Sequence, residues 1–355
     1  MELKTVFAGR FVIEELAGTG GMGAVYRARD QERDGATVAL KVLASTSYVH
    51  HLHERFTREA DVLSQLRHPG IVSYIDHGTT PHGEAYLVME WLEGEDLDQR
   101  LARQGLTLPE TVTVFRQIAE ALSAAHRHGI VHRDLKPENI FLVGRRLDKV
   151  SLLDFGVARL VSSELTAHGL AVGTPLYMAP EQARGDRDVG PSADVFTLGC
   201  VMFECLTGRR PFAGEHTSHI LASILLQEAP CLRTLRPTMP EDVEELLARM
   251  LSKDPTQRPK DAGELLVQLL GLAPPSDLPA PDGFPSTERY HAPLSRPLMQ
   301  EQQLLSVVVS IGENARHRTM TVGEGELTEP SPAPPWPTPS AGAFGHASSF
   351  SSMDR

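Results

Sequence analysis

The sequence predicts an α+β chain built in two lobes: an N-terminal antiparallel sheet carrying one helix, then a larger, mainly helical C-terminal lobe. Three observations predict it. Residues 11–43 hold short alternating runs of strand character, helical spacing sets in after about residue 107, and a nearly unbroken apolar run at 192–206 suits a buried helix. At 355 residues the chain has room for both lobes and an extra segment.

The totals narrow the function classes. A hydrophobic content of 41% suits a globular core, and the apolar residues are concentrated before about residue 272. A net charge of −12 argues against a general nucleic-acid binder and against docking on an anionic membrane. Cys200, Cys205 and Cys231 form no CxxC pair, and the first two lie in the apolar run, so they read as small buried hydrophobes. A reducing, cytoplasmic setting is the expectation. The start, Met1-Glu2-Leu3-Lys4, lacks a charged-then-apolar leader, and no apolar run reaches the roughly 18–20 residues of a membrane helix.

Taken in order, Phe11 to Leu16, Ala24 to Ala28 and Thr37 to Val42 are the first three strands. Between the first two lies Gly18-Thr19-Gly20-Gly21-Met22-Gly23. Ala24-Val25-Tyr26 continues as strand and not as helix, so the glycines read as a hairpin over phosphates, not a dinucleotide turn. A side chain there would keep the backbone amides from phosphate oxygens. A merely flexible hairpin tip is the plainer alternative. A helix follows with Phe56, Ala60 and Leu63 on one face, and Glu59 shares that inward face. A carboxylate on an apolar stripe is costly unless paired, and Lys41 is the obvious partner; a solvated margin is the alternative.

His68-Pro69 ends this helix region, and Ile71 to Asp76 and Ala85 to Glu90 read as two more strands, after which Glu90 to Gly94 breaks the pattern. Thr107-Leu108-Pro109-Glu110 opens a helix with proline in its first turn, and Val114 or Phe115, Ile118, Leu122 and Ala125 recur on its apolar face. Asp194 is the polar exception in the 192–206 run. Pro240 to Leu251 and Asp261 to Leu270 read as amphipathic helices. Half of the 26 prolines lie beyond residue 272, so 273–355 reads as a disordered or polyproline-like tail. Its apolar island at 304–311 is either a docking segment or the first strand of a further domain.

The chemistry concentrates in His132-Arg133-Asp134-Leu135-Lys136-Pro137-Glu138-Asn139 and in Asp154-Phe155-Gly156. Two acids, a lysine and an amide in one short loop and one tight turn can hold a divalent metal and a triphosphate beside a hydroxyl. Taken singly, Asp134 and Asn139 also suit loop caps and Asp154 the opening of a turn.

Together with the glycine loop, Val38-Ala39-Leu40-Lys41, and Gly173-Thr174-Pro175 through Met178-Ala179-Pro180-Glu181, these residues resemble the eukaryotic-like (Hanks-type) serine/threonine protein kinases over about residues 8–271. Met22 and Glu181-Gln182-Ala183-Arg184-Gly185 resemble bacterial members in particular. Gly70, where the family often has Asn, is the visible departure. The six lysines among 34 basic residues include Lys41 and Lys136, the two positions where the family asks for a compact ammonium.

The resemblance implies a two-lobed protein kinase catalytic domain at 1–272, with a small lobe at about 8–90, a hinge at 90–94 and a large lobe at 95–272. It implies ATP with Mg²⁺, or Mn²⁺ in its place, and transfer of the γ-phosphoryl group to serine or threonine side chains of proteins. Asp134 would accept the hydroxyl proton, Lys136 would neutralise the γ-phosphate, and Asn139 and Asp154 would hold the metal. Lys41, held by Glu59, would orient the α- and β-phosphates. Leu16, Gly18, Gly20, Gly23, Val25, Ala39, Met89, Glu90, Leu92 and Phe141 would surround the nucleotide, with Met89 as gatekeeper. Asp194 would tie down the catalytic loop, Thr174 would bond Asp134 and Lys136, and Glu181 would pair with Arg258.

Arg133, directly before the acid, is placed to receive a phosphate on the polar segment between Gly156 and Gly173. Autophosphorylation is therefore expected, first at Thr166 and next at Ser162 or Ser163, with a transient homodimer to carry it out. Protein substrates, and partners binding phosphopeptides or the proline-rich tail, are the expected company, with no nucleic acid and no membrane span. The competing reading is a catalytically weak pseudokinase or scaffold acting through nucleotide binding and the tail. Such proteins usually lose a residue equivalent to Lys41, Asp134 or Asp154, and all three are present. A small-molecule kinase would not need the loop at 173–181.

Overall fold

The computed structural model describes residues 5–20, 23–43, 57, 60–155 and 175–272. The first lobe is a sheet of β1 (Val6–Phe7), β2 (Phe11–Gly20), β3 (Gly23–Asp30), β4 (Ala36–Leu43), β5 (Tyr74–Thr79) and β6 (Ala85–Glu90), in the order β1-β2-β3-β4-β6-β5. Every neighbouring pair is antiparallel. β4 shows how the sequence builds it. Val38, Leu40 and Val42 point into a small-lobe cluster with Phe11, Ile13 and Val88, while Ala39 and Leu43 join the main core on the opposite face. Period-two alternation thus gives this strand two apolar faces, and Lys41 is the one charge set into the second of them.

The described part of the following helix, α1 (60–65), buries Ala60 and Leu63 as expected; Phe56 and Glu59 lie outside the described residues. The strand expected at 71–76 forms later, at Tyr74–Thr79. Residues 70–72 are taken instead by the other lobe: Leu152 donates its N–H to the Gly70 carbonyl at 2.9 Å, and Val72 donates to the Leu152 carbonyl at 3.0 Å. The Gly70 departure has a steric reason, because a Cβ there would sit 3.1 Å from the Ala121 Cβ.

The second lobe carries a small sheet, β7 (Gly94–Asp96), β8 (Ile140–Val143) and β9 (Val150–Leu152), in the order β7-β8-β9. Its helices are α2 (Leu97–Arg103), α3 (Leu108–Arg127), α4 (Pro180–Arg184), α5 (Pro191–Thr207), α6 (Thr217–Leu226), α7 (Leu232–Leu235), α8 (Glu241–Met250) and α9 (Ala262–Gly271). The start of α3 is fixed as the sequence demands: the Thr107 hydroxyl accepts from Glu110 N–H at 3.3 Å and Glu110 accepts from Thr107 N–H at 2.8 Å. Val114 and Phe115 are both buried, so the helix covers more than one stripe. α5 is buried on nearly every side, with Cys200 and Cys205 inside the core, while Cys231 is exposed. α2, α6 and α7 were not legible, since short or uniformly apolar segments carry no distinctive period. No helix among the described residues is long and apolar enough to cross a membrane.

Candidate active site

The site lies where the first sheet faces β8, β9 and the loop between α3 and β8. That loop hangs from α5. The buried Asp194 carboxylate accepts from the backbone N–H of His132 and of Arg133, each at 2.8 Å, and from His126 Nε2 at 2.9 Å. His126 Nδ1 accepts from Ala262 N–H at 3.1 Å, so this imidazole is a bridge between α9 and Asp194. The tie expected of Asp194 is therefore present in the geometry.

His132 is buried, and burial holds its pKa below the ordinary histidine value. Its Nδ1 lies 3.3 Å from the N–H of Asp134 and its Nε2 2.8 Å from the Leu153 carbonyl, which requires the neutral Nε2–H tautomer. Its ring packs on Phe155 with centroids 4.5 Å apart. One side chain thus spans the loop that carries Asp134 and the turn that carries Asp154. Arg133 and Asp154 both have left-handed backbones, with φ of 63° and 51°. Two constrained residues in one site mark it as a place where geometry outranks backbone comfort.

The expected chemical groups meet. Asn139 donates through Nδ2 to the Asp134 carbonyl at 2.7 Å and reaches its Oδ2 at 3.3 Å. Lys136 Nζ stands 3.4 Å from the same Oδ2. Leu153 N–H donates to the Asn139 carbonyl at 2.9 Å, bringing the loop beside the turn. From the roof, Lys41 Nζ reaches Asp154 Oδ2 at 2.8 Å. The pairing expected for Lys41 was Glu59, which lies outside the described residues; among those described, Lys41 pairs with Asp154.

A cleft of about 620 Å³ runs between the lobes, a size suited to a small-molecule ligand. Glu59 lies outside the described residues; of the others expected around the nucleotide, all but Leu16 line it. Leu16 is a correction. It is 50% exposed, and its neighbour Ala17 lines the cleft instead. The cause is a register shift in β2 between Leu16 and Gly18, which turns the alternation by one residue. Glu90 spends its carboxylate on the N–H of Ser73 at 2.7 Å. Gly23 has φ of 138°, and a Cβ there would meet the Val42 carbonyl, so only glycine fits that end of the loop.

Sequence reasoning missed Asp96. It caps α2 through Gln99 N–H at 2.7 Å and lines the cleft, and burial raises its carboxyl above the usual range. The Asp before Leu97, with Gln three residues on, was a readable cap signal. Trp91, within the expected hinge at 90–94, lines the cleft, and its ring lies under the Arg27 guanidinium at 5.4 Å.

On the far side, Pro175, Tyr177 and Met178 line the cleft. Tyr177 donates its hydroxyl to Glu204 at 2.5 Å and accepts from Arg210 Nε at 3.0 Å, all three being buried. Burial pushes the Tyr177 phenol well above its ordinary value, so it stays a donor. The expected Glu181–Arg258 pair is present, bidentate at 2.7 and 3.0 Å, and Arg258 also donates to the carbonyls of Ser252, Ser192 and Lys253. Gly156, Ser162, Ser163, Thr166, Gly173 and Thr174 lie outside the described residues. Arg133 donates to the Val189 carbonyl at 3.4 Å.

Comparison with known proteins agrees with this geometry. Residues 11–268 match the protein kinase domain family. The serine/threonine-protein kinase PknH of Mycobacterium bovis is 40% identical over 260 residues, covering 72% of this chain and 43% of PknH. PknA of Mycobacterium tuberculosis is 40% identical over 263 residues, 72% of this chain and 59% of PknA. The serine/threonine-protein kinase pkn3 of Myxococcus xanthus is 38% identical over 277 residues, 75% of this chain and 50% of its own. The chain thus spans about half the length of these relatives. The crystal structure of the Mycobacterium tuberculosis PknI kinase domain superposes with a TM-score of 0.61 at 26% identity, covering 76% of this chain and 98% of that one. Rad53 1-466 in complex with AMP-PNP superposes with a TM-score of 0.61 at 28% identity, covering 72% and 64%. With a family match over 11–268 and relatives at 38–40% identity, the chain belongs to the protein kinase domain family, among its bacterial serine/threonine members.

Proposed function

We propose that the chain is an ATP-dependent protein serine/threonine kinase that uses Mg²⁺. The observation that carries the reading is the 2.8 Å contact of Lys41 with Asp154 in the same cleft as Asp134, which Asn139 hydrogen-bonds and Lys136 pairs with. Phosphoryl transfer asks a protein for placement and charge neutralisation more than for covalent chemistry, and these groups supply both.

The donor set suits a hard divalent cation. Asn139 uses its amide nitrogen on Asp134, which leaves its amide oxygen for a metal, and Asp154 brings a carboxylate. Mg²⁺ held there would offset the negative charge of the β- and γ-phosphates. Lys41 orients the α- and β-phosphates. Asp134 accepts the proton of the serine or threonine hydroxyl, the hydroxyl oxygen bonds the γ-phosphorus, and the bond from that phosphorus to the β,γ-bridging oxygen breaks to release ADP. Lys136, beside Asp134, neutralises charge on the transferred group. The backbone at 90–92 receives the adenine, and Asp96 in the cleft lining is placed for a ribose hydroxyl.

Incubation with radiolabelled ATP, Mg²⁺ and a protein substrate tests the reading. Asp134→Asn is expected to lower incorporation by about two to four orders of magnitude, the worth of a positioned proton acceptor. Lys41→Met is expected to behave likewise. Wild-type protein that binds magnesium nucleotide yet transfers no phosphate would leave the scaffold reading standing.

Autophosphorylation at Thr166, then Ser162 or Ser163, is part of the proposal, supported by their place between the metal turn and the substrate loop. Mass spectrometry of active enzyme showing an unmodified 157–172 peptide would end that part. The domain limits at 1–272 and a partner-binding tail at 273–355 are tested by comparing substrate phosphorylation by the two lengths of chain.

A further inference from the structure

Gln182, beside Glu181 in the segment that resembles bacterial members, has no part in the chemistry just described. It sits in the first turn of α4, and its side chain bonds in two directions. Oε1 accepts from Ala179 N–H at 3.0 Å, and Nε2 donates to the carbonyl of Arg133 at 2.9 Å. Each bond fixes the other, because a flipped amide would set donor against donor at Ala179 and acceptor against acceptor at Arg133.

Arg133 precedes Asp134, and its φ of 63° is a left-handed conformation that a residue with a side chain adopts at a cost. Its N–H is held by Asp194 at 2.8 Å. Its carbonyl belongs to the peptide plane leading into Asp134, whose N–H stands 3.3 Å from His132 Nδ1. The two peptide planes around the constrained residue are therefore each held by a different helix, one by α5 through Asp194 and one by α4 through Gln182.

We propose that Gln182 is a positioning residue that couples the substrate-side loop at 175–182 to the orientation of Asp134. When that loop is seated, Gln182 holds the Arg133 carbonyl and keeps the strained backbone in place. When it shifts, Arg133 relaxes and the Asp134 carboxylate turns from its working direction. The link to catalysis rests on the proposed role of Asp134; the link between the two segments does not.

Two variants test this in the full chain. Gln182→Glu keeps an acceptor for Ala179 but places an oxygen against the Arg133 carbonyl; Gln182→Met removes both bonds. In each, amide hydrogen exchange across residues 130–140 is expected to accelerate several-fold while exchange in α5 stays unchanged. Turnover is expected to fall on the order of tenfold, with KM for ATP within about twofold of wild type. Unchanged exchange at 130–140 in Gln182→Glu would overturn the coupling and leave Gln182 a helix cap. Faster exchange with unchanged kcat would overturn its link to Asp134. The exchange measurement needs no turnover, so an inactive wild type would sink the kinase reading while Gln182 is still judged.

Discussion

The roof and the floor of the cleft are held in place by different means. The floor is pinned by buried polar side chains: Asp194 takes three donors, Glu181 and Arg258 meet bidentately, and Tyr177 bridges Glu204 and Arg210. The roof contributes backbone and one lysine, and its own ion cluster sits away from the cleft lining, where Arg10 bonds the buried Asp30 at 2.7 Å and Asp76 at 2.5 Å. Positional accuracy is needed more on one side than on the other. In the proposed reaction the floor presents a proton acceptor to a hydroxyl, and a carboxylate turned aside would do no work. In the same proposal the roof would present amides and aliphatic surface to a flat ring, which tolerate small shifts. A buried charge network costs desolvation wherever it sits, and here it stands under the groups that must point in one direction.

Four substitutions press on this contrast, beginning with the largest expected effect. Arg258→Met leaves Glu181 buried without its partner and is expected to cost about 3–5 kcal/mol of stability, read as a lowered midpoint in urea. A loss below about 1 kcal/mol would mean the floor is not pinned there. Asp194→Asn keeps the shape but turns one acceptor oxygen into a donor facing an N–H. Turnover is expected to fall on the order of a hundredfold with ATP affinity nearly intact, checked by kcat beside nucleotide titration.

Arg10→Met asks the same of the roof and is expected to give a different answer: about 1–3 kcal/mol of stability lost, with kinetic constants at low temperature unchanged. Hydrogen bonding to Arg10 holds the Asp30 carboxyl below the usual range. That stability is present above the ordinary carboxylate pKa and lost as pH falls through the lowered value, so the acid limb of a stability–pH curve should flatten in Arg10→Met. Altered kcat in this variant would break the contrast.

Lys253 offers the smallest and most specific effect. It lies over the Phe212 ring at 3.6 Å and donates to the Ile224 carbonyl, yet burial pulls its pKa down to about 8. Between about pH 8 and 10 the unfolded chain holds a proton that the folded chain has released, so stability should rise with pH in that window. Lys253→Met should remove the rise, worth about 1–2 kcal/mol.

Much of this was legible in the sequence because the decisive residues are neighbours in the chain. Asp134, Lys136 and Asn139 share one loop, and the start of α3 and the buried run of α5 announced themselves by cap and composition. Pairings over long separations were less legible. Arg210 on Tyr177, Gln182 on Arg133 and Arg10 on Asp76 depend on which loop passes which helix, and no local period encodes that. Ala17 replaced Leu16 because a register shift in β2 undoes strict alternation. The strand at Tyr74–Thr79 started late because its first residues were claimed by Leu152. Only the Asp96 cap carried a local signal that went unread.

That claim by Leu152 bears on how the molecule can open. The polypeptide crosses from one lobe to the other at 90–94, and the Gly70–Leu152–Val72 bonds sew the lobes together a second time, two residues before Asp154. A body fastened at two separated places keeps a single easy rotation, about the line that joins them. If the proposed reaction holds, ADP should therefore depart by a gape at the glycine-loop end, and twisting or sliding of the lobes would first have to tear that seam.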